Sequence, residues 1–230
     1  MKIVLTPYWF LGPDVSIEIF SFLVLLAFFI YSIRSYKINK NKNALYLGIG
    51  FLIIALAEIS TILTKFVLYY DTTFVQVVGQ MVVTNHVVRS VDIFYNIGFF
   101  MYKLLTLVGL YIIYRIPLKR SAKRDVILGA CFVLLSGFSS YLIFQIFHLT
   151  SIVLLGLIIY NYSEIYKKNK SKNTCILITA FLILLLSHSI MLLHSRFLYV
   201  FAQFSQLISY LILLVLIIKI TRTSNDKKKK

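Results

Sequence analysis

Six polar side chains lie within long apolar stretches of this sequence, where a group facing lipid is costly. They are Glu58, Lys65, Asn96, Lys103, His188 and Gln206. A carboxylate, ammonium groups, an imidazole and amides in such positions could bind a small solute or an ion, or handle a proton. The alternative hypothesis is an internal Glu–Lys or Glu–His pair that only fixes helix packing.

The spacing of these residues predicts which of them meet. Glu58, Thr61 and Lys65 recur at i, i+3 and i+7, which places them on one helix face. A second set also follows helical spacing and comprises Asp92, Asn96, Phe99, Lys103 and Thr106. We expect both faces to point inward, because lipid would not tolerate them. The sequence then predicts a polar layer at one depth in the outer half, formed by Glu58, Asn96, His188 and Gln206.

The histidines and cysteines raise the question of a metal or a haem. All four histidines, His86, His148, His188 and His194, are predicted in the outer half. His188 and His194 are six residues apart, roughly 240° around a helix, so they do not share a face. We therefore expect interfacial histidines, not a haem or metal site. Cys131 and Cys175 lie in apolar runs and are interpreted as small membrane hydrophobes.

No familiar catalytic signature accompanies these residues. The sequence has no GxSxG, HExxH, Walker or Gly-rich dinucleotide motif. This favours a protein that is not an enzyme, although the residues alone leave that question open.

Composition identifies the elements that must position the polar residues. The chain has 230 residues, of which 60% are hydrophobic and 14% charged, against about 25% charged in soluble proteins. Its mean hydropathy is +0.87. One soluble core of this size could not bury so many apolar residues. An integral, all-α membrane protein is the class that remains, since the apolar runs are continuous and not alternating.

Seven transmembrane helices are predicted from runs of about 20 apolar residues. Their ranges are roughly 15–35, 43–68, 89–115, 125–146, 149–166, 173–195 and 198–220. The fourth and fifth share the uncharged stretch 126–163, which is too long for one crossing. Polar residues from Gln145 to Ser151 suggest a tight turn between them. The outer segment 72–84 could form a short hairpin, or extend a helix.

Basic residues predict the orientation. Nineteen of the 24 Lys and Arg lie in alternate connections or after the last helix, which places the N-terminus outside and the C-terminus in the cytoplasm. The net charge of +16 then indicates contact with anionic lipid on the cytoplasmic side of the plasma membrane. We expect no nucleic acid partner, because no aromatic-and-basic RNA motif is present.

An internal repeat is suggested by a shift of 130 residues. Tyr36-Lys-Ile-Asn-Lys40 aligns with Tyr166-Lys-Lys-Asn-Lys170, and 36–56 matches 166–186 at 11 of 21 positions. A parallel repeat would pair 15–115 with 149–220, with the fourth helix as linker. The alternative is chance similarity between Lys/Asn loops and Leu/Ile helices. The domain organisation is then one transmembrane unit, 1–222, followed by a basic cytoplasmic tail, 223–230.

Two resemblances follow from these patterns. The closing run Gln206-Leu-Ile-Ser-Tyr210-Leu-Ile-Leu-Leu is similar to that of archaeal-type seven-helix membrane proteins. The three-plus-one-plus-three layout resembles the group that joins microbial rhodopsins to small sugar and vitamin carriers. The resemblance implies a retinal lysine midway along helix seven, but Gln206, Ser209 and Tyr210 stand there and Lys219 lies at the cytoplasmic end. A retinal Schiff base in helix seven is therefore excluded, and the identity of any other cofactor stays open.

The sequence leaves three hypotheses for function. The first is small-solute or ion binding and transport, favoured by the repeat and the polar layer. The second is a receptor-like or accessory subunit that contacts a membrane protein partner through its basic cytoplasmic face. The third, which the histidine spacing disfavours, is a haem- or metal-binding redox protein.

Overall fold

The computed structural model describes residues 7–40, 42–78, 84–117, 142–193 and 195–229. Within these ranges the chain forms a short 3-10 turn, Tyr8–Phe10, and six long α-helices. They are α1 (Pro13–Asn39), α2 (Lys42–Val78), α3 (Thr84–Arg115), α4 (Leu142–Asn169), α5 (Lys172–Leu192) and α6 (Arg196–Lys229). Each contains a span that is long and apolar enough to cross a membrane, as a multi-pass membrane protein requires.

The ends of α1 illustrate how the local sequence sets helix boundaries. Pro13 is the first helical residue, where its fixed φ suits a helix and its missing N–H removes no bond. The Asp14 carboxylate accepts the backbone N–H groups of Gly12 and Val15, at 3.0 and 2.9 Å. At the other end, Lys40 adopts a left-handed conformation with φ 53° and donates its N–H to Tyr36 O at 2.8 Å. This left-handed residue stops α1, and α2 begins two residues later.

The six described helices form a closed ring. Each packs against its neighbours in sequence, and α1 packs against α6. Phe28 of α1 meets Phe51 of α2, whereas Asp14 meets Lys65, so these two helices are antiparallel. Similar pairs make α2 antiparallel to α3, and α5 antiparallel to α4 and α6.

The end of the bundle where α1 starts is called here the Asp14 end. There α3, α4 and α6 also start, because Tyr102 contacts Phe147 and Tyr199 contacts Lys65. The opposite end, where α1 and α4 stop at Asn39 and Asn169, is called the Lys40 end. Consequently α3 and α4 run in the same direction, as do α6 and α1.

The half of the bundle towards the Lys40 end is filled by apolar side chains. Phe28, Phe51 and Phe181 are each at most 2% exposed. The rings of Phe51 and Phe181 lie 6.4 Å apart and almost parallel, and Tyr162 packs on Phe181 at 6.0 Å. These aromatic contacts join α2 to α5 across the middle of the ring.

One of the sequence predictions about helices needs correction. The turn expected from Gln145 to Ser151 is wrong, because α4 is continuous from Leu142 to Asn169. The hydroxyls of Thr150 and Ser151 donate hydrogen bonds to backbone carbonyl oxygens four residues earlier. Both polar side chains therefore have hydrogen-bond partners within the helix and need no turn. Of the two alternatives for 72–84, the helix extension is confirmed as far as Val78, where α2 ends, and α3 begins at Thr84. Residues 79–83 of this segment lie outside the described residues. Helix α6 continues to Lys229 and so includes most of the predicted basic tail.

The predicted fourth crossing, 125–146, lies mostly outside the described residues, and only its last residues fall in α4. The other six predicted crossings correspond to the six described helices.

Candidate functional site

A buried ion cluster lies at the Asp14 end, between α1, α2 and α6. It consists of Asp14, Glu18, Lys65 and Tyr199, and is called here the acid–lysine cluster. The Lys65 ammonium donates to Asp14 Oδ2 at 2.8 Å, to Glu18 Oε1 at 2.5 Å and to Tyr199 Oη at 3.3 Å. Asp14 and Glu18 are four residues apart and so share one face of α1. Both carboxylates and the ammonium are less than 10% exposed.

All three N–H donors of Lys65 are used in this cluster, whereas one carboxylate oxygen of the cluster accepts no hydrogen bond from the described residues. An ammonium has three N–H donors, and all three of Lys65 are directed at acceptors. Glu18 Oε2 is buried and has no hydrogen-bond partner among the described residues. A buried carboxylate oxygen without a partner is costly, so this atom identifies a place that would accept a further donor or cation.

A second chain of polar groups begins at Glu58, deeper in the bundle. Gln206 Nε2 donates to Glu58 Oε1 and to Tyr210 Oη, both at 2.9 Å. Glu58 is 3% exposed and also interacts electrostatically with Glu18 and Lys65. The Glu58 chain and the acid–lysine cluster therefore form one polar region, with three carboxyl groups for one ammonium. The prediction that Glu58 faces the interior and contacts a polar group is confirmed, and the partner is Gln206.

Two histidines form a separate polar contact between α4 and α5. The Nδ1 atoms of His148 and His188 are 3.0 Å apart, and both residues are 4% exposed. At this distance one nitrogen must donate and the other accept, so the two imidazoles adopt different tautomers. The ring of Phe147 packs against both imidazoles, at 4.9 and 5.9 Å. This arrangement can share one proton in apolar surroundings.

The structure brings together some of the six residues singled out in the sequence and separates others. Glu58 contacts Gln206, and Lys65 lies in the adjoining acid–lysine cluster. His188 is buried in the histidine pair instead. Asn96 is exposed on α3, so its expected place in an internal layer is wrong. Lys103 is half-buried and shows no hydrogen bond or ion pair in the described part of the chain.

Asn96 is exposed because it lies on the side of α3 that faces away from α2. Gly98 packs against α2, and Asn96 is two residues earlier, which is about 200° around the helix. Thr106, from the same predicted face, is buried, as is Leu110. The predicted inward face is therefore correct for Thr106 and wrong for Asn96.

Sequence reasoning missed Asp14, Glu18, Tyr199 and His148 as site residues. A signal for the first two was present, since their i, i+4 spacing gives a two-carboxylate face at the start of the first apolar helix. Lys65, on the neighbouring antiparallel helix α2, provides the counter-charge. His148 was missed because it was assigned to a turn. Its spacing to Ser151 and Leu155, both fully buried, is that of an inward helical face.

The acid–lysine cluster holds donors and acceptors that can bind a charged group. Among the described residues, no three histidine, cysteine, aspartate or glutamate side chains are grouped as a metal site would require. Comparison with protein-family models, with curated proteins and with solved structures gives no match.

Proposed function

We propose that this protein binds a small cation or a cationic solute between α1, α2 and α6, and that it transports this solute across the plasma membrane. The observation that carries the proposal is the excess of carboxyl groups over ammonium in the buried polar region, together with the unpartnered Glu18 Oε2. Such a region attracts a cation and repels an anionic solute.

The energetic cost of acidic side chains inside a bilayer favours a role in ligand binding over a role in helix packing. Ionised side chains inside a bilayer cost at least about 2.5 kcal/mol each at the centre of a helix. Apolar side chains of similar volume commonly replace a buried ion pair without loss of stability. Three acidic residues at one end of the bundle are therefore expensive for packing alone, but they suit recognition of a cation.

The alternative function is a receptor-like or accessory subunit, and one observation favours it. The half towards the Lys40 end is closed by Phe28, Phe51 and Phe181, so a bound solute would need these rings to move before it could pass through. A protein that binds the solute but does not transport it could instead signal the bound state to a partner protein at its basic cytoplasmic face.

Seven crossings, rather than six, also form part of the proposal. Because α3 and α4 run in the same direction, the chain between Arg115 and Leu142 has to return from the Lys40 end to the Asp14 end. The predicted crossing 125–146 would supply this return. The basic residues then place the Lys40 end in the cytoplasm.

Three features support the proposed parallel repeat. Lys40 and Lys170, 130 residues apart, both have a left-handed φ and both donate the backbone N–H to a tyrosine carbonyl four residues back. Phe51 and Phe181, related by the same shift, stack on each other near the middle of the ring. The helix contacts also correspond between the two halves: the pairs α1–α2 and α2–α3 match α4–α5 and α5–α6, and the pair α3–α4 matches α6–α1.

Cysteine labelling tests the proposed orientation. With Cys131 and Cys175 replaced by serine, a membrane-impermeant maleimide applied outside should label Trp9→Cys, because Trp9 is 66% exposed near the Asp14 end. Lys170→Cys should react only after the membrane is permeabilised. The reverse result would overturn the orientation.

Cation binding is tested with the purified protein in lipid nanodiscs. Binding of sodium, potassium, ammonium and small organic cations is measured at constant ionic strength, and flux is measured in proteoliposomes. Glu58→Gln and Glu18→Gln should each weaken binding at least tenfold, while Glu164→Gln, an exposed residue at the Lys40 end, should leave it unchanged. Binding without flux favours the receptor-like function, and equal binding by all variants contradicts the proposed site.

A further inference from the structure

The three acceptors around Lys65 Nζ come from two helices, and the lysine comes from a third. Asp14 and Glu18 belong to α1, Tyr199 belongs to α6, and Lys65 reaches them from α2. The three oxygens are therefore a preformed receptor for an R–NH3⁺ group, into which the chain inserts its own ammonium.

We propose that Lys65 occupies the ligand position as a tethered substitute, and that the ligand is a small primary amine in its ammonium form that displaces it. This inference rests on the proposed cation-binding function and specifies its ligand class. When the ligand enters, its nitrogen takes the place of Lys65 Nζ and the lysine side chain swings towards the Asp14 end.

Charge conservation makes this exchange physically inexpensive. One ammonium replaces another, so the number of buried charges between Asp14 and Glu18 does not change. A simple addition of a second cation would instead place two positive charges against the same carboxylates. The partner atoms also stay satisfied, because the three donors of the incoming ammonium match the three acceptors that Lys65 releases.

The position of Lys65 in its helix allows the displacement. Lys65 lies close to the end of an apolar stretch, because Asp71 follows it six residues later. A lysine near the end of such a stretch can extend its four-carbon stem along apolar surface and place its ammonium at the membrane interface. The released charge would therefore return to water, not remain in the bundle.

Hydrogen-bond chemistry sets the selectivity. A primary ammonium donates three hydrogen bonds, and the unpartnered Glu18 Oε2 offers one further acceptor beside them. A quaternary ammonium has the same charge but no N–H donor, so it could not satisfy Asp14, Glu18 and Tyr199 together. We expect ethylammonium to bind at least tenfold more tightly than tetramethylammonium.

The first test removes the tethered amine. Lys65→Ala should bind ethylammonium at least tenfold more tightly than the wild type, measured as the rise in melting temperature with concentration at constant ionic strength in nanodiscs. The matched control carries Asp14→Asn and Glu18→Gln in addition to Lys65→Ala, and should show no rise. An equal response of Lys65→Ala to ethylammonium and tetramethylammonium would overturn the inference.

The second test uses the wild-type protein and does not depend on a variant that folds. The Lys65 amine is acylated with a small reagent, and its labelling is expressed relative to exposed Lys167 by peptide mass spectrometry. Ethylammonium should raise this ratio several-fold, because the displaced lysine becomes accessible, and tetramethylammonium should not. An unchanged ratio at a saturating ethylammonium concentration contradicts displacement.

The outcomes separate the inference from the function on which it rests. If the wild type binds cations through Glu58 and Glu18 but Lys65→Ala binds ethylammonium no more tightly, only the tethered-substitute mechanism is wrong. If neither protein binds any cation of the panel, the cation-binding function fails as well.

Discussion

The first three helices and the last three described helices meet the same requirement, close helix packing in lipid, in different ways. Between α2 and α3, backbones approach at glycines: a Cβ on Gly109 would lie 2.7 Å from Gly50 O. Between α5 and α6, hydroxyls bridge the helices: Ser187 and Ser209 donate to Ala202 O and Ala180 O, both at 2.8 Å. Small residues and interhelical hydrogen bonds are the two devices expected where lipid provides no hydrophobic driving force.

The same two regions differ in what they bury. The first three helices contain the ionisable groups Asp14, Glu18, Glu58 and Lys65. The last three contain the neutral pair His148 and His188, and supply Gln206 and Tyr199 as neutral partners. Among the described residues, the buried carboxyl and ammonium groups therefore lie in the first three helices, and the last three provide hydrogen bonds. A cation would be held mainly by the first region.

The largest effect should come from breaking the ion cluster. Lys65→Met leaves Asp14 and Glu18 buried without their cation and should lower the free energy of unfolding by about 3–5 kcal/mol, as for other buried ion pairs that lose one partner. Adding Asp14→Asn and Glu18→Gln to Lys65→Met should recover most of this loss. Unfolding is measured in mixed micelles by titration with denaturing detergent.

Lys167, at the Lys40 end of the bundle, provides a control for the stability measurement on Lys65. Lys167 pairs with Glu164 at 2.9 Å, but their side chains are 73% and 43% exposed. Lys167→Met should leave stability unchanged within error, because exposed ion pairs contribute little. Equal losses for Lys65→Met and Lys167→Met would mean that the acid–lysine cluster is not buried as described.

The next largest loss of stability should come from substitutions at the glycine contacts between α2 and α3. Gly109→Ala places a methyl group against Gly50 O, a backbone atom that cannot rotate away, and should destabilise the protein by about 1–3 kcal/mol. On α4, Gly156 has no atom within 4 Å of an added Cβ, so Gly156→Ala should be neutral or stabilise by up to about 1 kcal/mol. If Gly109→Ala is as well tolerated, α2 and α3 are further apart than in this structure.

The histidine pair should show a smaller, measurable coupling. His148→Phe, His188→Phe and the double variant form a double-mutant cycle, from which we expect a coupling energy of about 1 kcal/mol for the hydrogen bond between the rings. Detergent-induced unfolding at neutral pH provides the four free energies. Strict additivity would show that the two imidazoles do not interact.

The sequence predicts most of the helices but only part of the site, for physical reasons. Long apolar runs specify crossings such as 43–68 and 173–195, because membrane thickness fixes their length. The interior position of Glu58 also follows, since lipid penalises the alternative. The pairing of His148 with His188 does not follow, because it depends on how α4 and α5 rotate and pack over 40 intervening residues.

Dependence on helix packing also explains why the sequence did not predict the acid–lysine cluster or the exposure of Asn96. Lys65 meets Glu18 across 47 residues, and nothing local to either residue specifies that contact. The orientation of α3 is likewise set by its glycine contacts with α2, which turn Asn96 outward while Thr106 stays buried. Local polarity predicts that a residue needs a partner, whereas packing determines which partner it finds.

The smallest expected effect concerns the hydroxyl bridges of the last region. Ser209→Ala removes the bond from α6 to Ala180 O on α5 and should cost about 0.6 kcal/mol, the average for such bonds in membrane proteins. Ser189 provides a matched control, because its hydroxyl donates within α5 to Leu185 O, four residues back. Ser189→Ala should cost less than Ser209→Ala, since no contact between helices is lost. The reverse order would mean that hydroxyl bridges do not hold α5 and α6 together, and that apolar packing alone joins them.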